Sequence, residues 1–285
     1  MVKSEQPVLC ADGTTLKATR YSPEPEHESI GAILIAGALG VPERYYSGFA
    51  NFLAEKGFEV LTFEYRGTTG NDREKESEIS LDAWGSQDID SMIRMSISIA
   101  SGNPVHLIGH SIGAQLLGLA EHARQLAGAV FVGASFPHWR RWPLRQRARP
   151  FVLFNVLIPV IGRLMRRVPA KVIGLGSGEL PSGVLRQWAS WTRSDAYLRA
   201  PEHGIRNAER YDGLALSVLA LEFDDDNLVP LAAAKALYDG YPSVKFEVRR
   251  KISGNSRVGH FGFFRQASGE KYWSEVIDWL STGEK

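Results

Sequence analysis

Short apolar runs alternate along this chain with longer amphipathic stretches, and that alternation sets the first structural expectations. Ile30 to Ala36 is a compact apolar run that predicts a strand, and Glu43 to Lys56 carries apolar residues at helical spacing. The unit recurs with Phe58 to Tyr65 as strand, Leu81 to Ala100 as helix, Val105 to Gly109 as strand, Ser111 to Leu126 as helix and Ala129 to Gly133 as strand. Repeated βαβ units predict a mostly parallel sheet with helices on both faces, so the fold class is α/β. Ahead of them, Val8 to Tyr21 reads as two short strands joined around Asp12-Gly13, a hairpin signal.

From Phe136 to about Asp212 the rhythm is lost. It resumes with Leu216 to Phe223 as strand, Pro230 to Tyr238 as helix, Val244 to Arg249 as strand and Tyr272 to Leu280 as closing helix. The interruption predicts an inserted cap, 136–212, on a core formed by 1–135 and 213–285.

Composition narrows the function classes. With 285 residues, 44% of them hydrophobic, the chain can bury a sizeable core. A formal net charge of +1 gives no global reason to expect nucleic acid or a membrane as partner. One cysteine, Cys10, rules out an intrachain disulfide and suits a reducing compartment. Met1 to Glu26 is polar and mixed in charge where a signal peptide would carry an apolar run. The longest apolar stretch, Pro150 to Met165, is interrupted by Asn155, Pro159 and Gly162, and is shorter than the ~20 residues that span a bilayer. A cytoplasmic protein without a transmembrane segment is expected.

The chemistry starts at Gly109-His110-Ser111-Ile112-Gly113, which fits Gly-x-Ser-x-Gly. The motif follows an apolar strand and precedes a helix-forming stretch, the setting in which a sharp turn exposes a serine hydroxyl above a sheet. A serine hydroxyl is a weak nucleophile at neutral pH. It needs an imidazole to take its proton and a carboxylate to hold the ring's tautomer. In this strand-turn-helix context the chain order is serine, acid, histidine. Of the seven histidines, His260 alone follows the late acidic candidates, which sets aside His27, His106, His110, His122, His138 and His203. The acid belongs just past the strand Leu216 to Phe223, where Asp224, Asp225 and Asp226 stand. Asp226 is favoured because it lies four residues before the helix-starting Pro230, with Asp225 the alternative. Backbone N–H donors for the oxyanion should come from Ile112 and from Gly37-Ala38-Leu39-Gly40, with Ala38 the first choice and Leu39 the second.

Clustered carboxylates also suit hard cations. No second ligand cluster or His-Glu-x-x-His pattern accompanies the aspartates, so no metal is expected. Gly174, Gly176 and Gly178 lack the spacing and the βαβ start of a dinucleotide site, so no nucleotide cofactor is implied either.

These pieces together resemble the α/β-hydrolase superfamily almost end to end, in the branch related to serine aminopeptidases and monoacylglycerol lipases. More narrowly, the chain resembles a bacterial family of α/β-hydrolases without a settled substrate. That likeness is carried by Ala38-Leu39-Gly40-Val41-Pro42, Thr62-Phe63-Glu64-Tyr65-Arg66-Gly67, the serine motif, Pro181-Ser182-Gly183-Val184, Trp188-Ala189-Ser190-Trp191 and Gly259-His260-Phe261-Gly262-Phe263-Phe264. Two positions depart from the usual pattern. Ala36 replaces the histidine common before the oxyanion glycine, and Glu64 stands where aspartate usually precedes Tyr-Arg-Gly.

The resemblance implies hydrolysis of a small-molecule carboxylic ester or thioester through an acyl-enzyme on Ser111. Acyl transfer and peptidase action would use the same intermediate, and a non-catalytic, lipid-binding or partner-binding protein could keep the fold. From Phe136 to Ile205 there are twelve Lys and Arg against three Asp and Glu. This basic cap reads either as a lid over an acyl chain whose arginines meet an anionic or lipid-like group, or as a cap with a core face and a solvated basic face. Nucleic acid is not expected, since no fold signature for it is present.

Overall fold

The computed structural model describes residues 1–26, 28–68, 78–253 and 257–282. His27, set aside above as a base, lies outside them. The central sheet has eight strands: β1 (Val2–Glu5), β2 (Ala18–Ser22), β3 (Gly31–Ala36), β4 (Phe58–Phe63), β5 (Val105–His110), β6 (Gly128–Val132), β7 (Ser217–Phe223) and β8 (Lys245–Lys251). Their spatial order is β1-β2-β4-β3-β5-β6-β7-β8. β1 and β2 are antiparallel additions, and β3 to β8 run parallel.

Every residue of β3, β4, β5 and β6 is buried, which is why these strands read as mainly apolar runs, with Glu59, Thr62, His106 and His110 the polar members. One face carries helices Ser47–Glu55 and Gln266–Thr282 over a cluster that includes Phe49, Phe263 and Trp273. The other carries the helical run from Leu81 to Ala100, whose Trp84 and Met92 share a cluster with Phe154 and Trp188. That run includes a π-turn at Trp84–Ile89, inside which the buried Asp88 accepts bonds from the Arg66 backbone N–H and guanidinium.

Three expectations change. The polar segment Val2–Glu5 is a strand, exposed at all its positions and held by pairing with β2, so no hydropathy pattern marks it. The Asp12-Gly13 hairpin joins Val8–Leu9 to Thr15–Leu16, but its second arm ends there, and Ala18–Ser22 enters the main sheet instead. The predicted helix Ser111 to Leu126 is α-helical only over Ile112–Leu116, then passes through two 3₁₀ turns, Leu117–Leu119 and Glu121–Gln125. Buried tyrosines interrupt it. Tyr241 Oη donates to the Ala114 carbonyl and accepts the Gly118 N–H, and Tyr211 Oη donates to the Gln115 carbonyl. Side chains remote in sequence thus satisfy backbone groups that a longer helix would have paired.

Between β6 and β7 the chain adds no strand to the main sheet. It forms a helical run from Ala148 to Leu164, a small pairing of Arg167–Pro169 with Glu179–Pro181, and helix Ser182–Trp191.

Candidate active site

Ser111 sits between the end of β5 and helix Ile112–Leu116 with φ 52° and ψ −107°. A non-glycine residue there stores roughly 1–3 kcal/mol of backbone strain and persists only where its surroundings hold it. Its N–H is fixed by the Val132 carbonyl of β6 at 3.0 Å. The flanking glycines are steric requirements: a Cβ on Gly113 would lie 2.2 Å from the Ala36 oxygen, and one on Gly109 would lie 2.7 Å from the Ala114 nitrogen.

His260 Nδ1 and Asp226 Oδ2 are 2.8 Å apart, with side chains 7% and 1% exposed. A carboxylate at that nitrogen fixes the Nδ1–H tautomer and leaves Nε2 as the basic nitrogen. Asp226 is steadied in turn by the Leu228 N–H at Oδ1. Gly133 makes room for the pair, since a Cβ there would come 3.2 Å from His260 Nδ1 and 3.3 Å from Asp226 Oδ2.

The neighbouring aspartates face elsewhere. Asp225 accepts from Ser253 Oγ at 2.6 Å and from the Val258 and Gly259 N–H groups at 2.9 Å. Burial opposes its ionisation, but the bonds from Ser253, Gly259 and Val258 prevail and hold its pKa below the usual carboxylate value. Asp224 accepts the Ser253 N–H. Among the described residues no group of acidic, histidine and cysteine side chains is placed to hold a metal ion.

Ser111 and His260 line one cavity of about 110 Å³. Ser111 Oγ makes no hydrogen bond among the described residues. Without substrate, catalytic contacts are commonly long and tighten when it binds.

The N–H groups expected to serve an oxyanion have different settings. Ile112 opens a helix, so its N–H has no intrahelical acceptor. The Ala38 N–H, the first choice from sequence, donates to Tyr46 Oη at 2.7 Å and is therefore spent. Tyr46 passes its proton towards His110 Nδ1 at 2.9 Å, and His110 Nε2 donates to the His260 carbonyl at 3.0 Å. Burial, reinforced by His260, holds the His110 pKa well below its usual value, so the ring is neutral and can serve as both acceptor and donor. The next N–H along, that of Leu39, has no partner among the described residues. Gly40, with φ 72°, lets the loop turn back so that Val41 N–H reaches the Ala38 carbonyl. This chain from Ala38 through Tyr46 and His110 to the His260 loop was missed in the sequence. His110 was visible as a motif position, but nothing local ties Tyr46 to it.

The cavity walls are mainly apolar, with Trp142, Leu153, Phe154, Ile173, Trp188 and Val229, and they carry two buried polar residues, Gln115 and Ser135. Of the segment's arginines only Arg149 reaches this cavity. Arg140, Arg141 and Arg147 line a neighbouring cavity of about 440 Å³ that shares Trp142, Asn227 and Val229 with it. The helical run above is apolar on its outer side too: Phe151, Val152, Val156, Val160 and Leu164 are exposed. No helix among the described residues is long and apolar enough to cross a membrane.

A model of the alpha/beta hydrolase family matches residues 32–269. Among solved structures, a soluble variant of monoglyceride lipase from Saccharomyces cerevisiae, bound to a substrate analog, aligns at 14% identity and TM-score 0.71, over 99% of this chain and 96% of that one. DcsB in complex with its substrate analogue aligns at 13% identity and TM-score 0.65, over 99% of both chains. A thermostable carboxyl esterase from Bacillus coagulans, in complex with glycerol, aligns at 15% identity and TM-score 0.60, also over 99% of both. No curated protein matches the sequence. At these identities the solved structures speak for the fold.

Proposed function

The chain belongs to the alpha/beta hydrolase family, and from that premise we propose that it is a serine hydrolase acting on a carboxylic ester or thioester through an acyl-enzyme on Ser111. In this reading His260 Nε2 takes the proton of Ser111 Oγ as the oxygen attacks the substrate carbonyl. The tetrahedral oxyanion is met by the N–H groups of Ile112 and Leu39. Its collapse breaks the bond to the leaving group, which receives the proton from His260. Water, activated by the same imidazole, then releases the acid. Asp226 orients the ring and stabilises its protonated form. The 136–212 segment acts as a cap on the core formed by 1–135 and 213–285, and its apolar outer side, flanked by Arg145, Arg163 and Arg166, suits a lipid-like substrate source with anionic groups.

The observation that carries this reading is His260, paired with the buried Asp226, sharing a cavity with a serine held at positive φ. Fluorophosphonate treatment followed by intact-mass measurement tests it. One adduct is expected on the native protein and none on Ser111→Ala or His260→Ala. Esterase kcat/KM should fall at least about 10³-fold in each variant. Undiminished turnover by Ser111→Ala would overturn it.

A further inference from the structure

Gln115 is 3% exposed, yet it lines the cavity of Ser111 and His260. It stands one helical turn beyond Ser111, and its N–H donates to the Ser111 carbonyl at 3.1 Å, so the two side chains share a face of the turn. Two buried tyrosines hold this one residue. Tyr197 Oη donates to Gln115 Oε1 at 2.7 Å, and Tyr211 Oη donates to its backbone carbonyl. Tyr197 is itself fully buried with φ 53°, a left-handed backbone that a bulky aromatic residue rarely adopts and keeps only when its surroundings impose it.

With Oε1 taken by a hydroxyl donor, the amide orientation is fixed and neither N–H bond of Nε2 has a partner among the described residues. Gln115 lines the cavity, and Nε2 is not among the polar atoms sealed from solvent without a partner. Ser135, 3% exposed, lies in the same wall, and its hydroxyl has no partner among the described residues. A purely hydrocarbon acyl group would strand these donors among Phe154, Ile173 and Trp188.

We propose that Gln115 is a specificity-determining donor, binding an oxygen carried by the acyl group, and that the preferred substrates are esters or thioesters of short, oxygen-bearing acids rather than plain alkanoic acids. This rests on the serine-hydrolase reading of Ser111. Length follows from the cavity: about 110 Å³ is somewhat less than the ~150 Å³ of an apolar cavity that holds a benzene ring, so it suits an acyl group of a few carbons. The position of the oxygen follows from the helix, because side chains one turn apart are ~5–6 Å from one another, which places the acceptor roughly three to four bonds from the scissile carbonyl carbon. Ketone and hydroxyl oxygens share this acceptor chemistry. Tyr197 is a positioning residue that acts through Gln115.

The test compares kcat/KM for the 4-nitrophenyl esters of 4-oxopentanoate against pentanoate, and of 3-hydroxybutanoate against butanoate, each divided by its hydroxide-catalysed rate. The native protein is expected to favour at least one oxygen-bearing ester by about tenfold or more. Gln115→Leu should bring that ratio to near one, and Tyr197→Phe should lower it part of the way. Gln115→Glu, which keeps the shape but turns an acceptor toward the substrate, should push the 4-oxopentanoate ratio below one, whereas the hydroxyl of 3-hydroxybutanoate can donate to the new carboxylate; the ketone pair supplies the same readout if Gln115→Leu does not fold. Equal ratios in native protein and variants, with Ser111 still labelled by fluorophosphonate, would overturn this assignment and leave the hydrolase reading standing. Neither labelling nor turnover of any ester would overturn both.

Discussion

Asp225 and Asp226 are adjacent and chemically identical, and their surroundings give them different work. Asp226 spends one oxygen on His260 and the other on its own loop, whereas Asp225 ties down the strand of chain that delivers His260. Asp226→Asn should leave the fold intact but disturb the imidazole tautomer, lowering kcat by about 10³–10⁴-fold at neutral pH. Asp225→Asn should act first on stability, costing about 1–3 kcal/mol as charge-assisted bonds from Ser253, Val258 and Gly259 weaken, with a smaller loss of kcat. Urea denaturation beside steady-state kinetics separates the two, and matching losses in both variants would refute the division of labour. In the sequence, spacing to Pro230 ranks the aspartates. What distinguishes them is the approach of residues 257–260 from far downstream, which no local pattern encodes. Ala38 shows the same limit: its place in the loop suggested an oxyanion donor, and a tyrosine from the following helical turn had already engaged it.

At the scale of elements, legibility follows burial. The strands β3 to β6 are enclosed on both faces, so their apolar runs stand out, and the glycine-serine motif sits at the end of one of them. Where pairing alone makes a strand, as in Val2–Glu5, or where distant tyrosines end a helix, as after Leu116, the pattern says little. The run Ala148 to Leu164 is a third case. Its sequence is apolar with basic flanks, and a core face with a basic solvent face is one reading of it. In the structure Phe154 and Ile158 face inward while Phe151, Val152, Val156, Val160 and Leu164 remain exposed. An outer apolar stripe beside Arg145, Arg163 and Arg166 should bind an interface bearing negative charge. Vesicles of mixed anionic and zwitterionic lipid are therefore expected to sediment the protein, and purely zwitterionic vesicles to do so less. The double variant Val156→Asp with Val160→Asp should weaken binding to both while fluorophosphonate labelling of Ser111 persists. Equal sedimentation of variant and native protein would remove this face from the account.

For the molecule as a whole, the buried histidines and the buried carboxylate pull stability in opposite directions with pH. His106 lies within β5, paired to Ile33 and Gly128, and burial pushes its pKa down to about 4. An unfolded histidine titrates near 6.5, so between about pH 6.5 and about pH 4 the unfolded chain binds a proton that the folded site refuses. Stability from this group is complete above pH 6.5 and is lost as pH falls, by about 3 kcal/mol in total. Asp88 works the other way. Burial pushes its carboxyl up to about 7 against the pull of Arg66, so its contribution is greatest in acid and declines as pH rises. The native protein's curve mixes the two, but the difference between native protein and His106→Leu removes Asp88 and isolates the histidine. Near pH 7.5 the variant should match or exceed the native protein, because Nδ1 of His106 is a buried atom without a partner among the described residues. Down to pH 4 it should gain a further ~3 kcal/mol in relative stability, read from urea midpoints at successive pH values. Parallel curves for the two proteins would mean that His106 is protonated in the folded state and that the centre of the sheet admits more water than its packing implies.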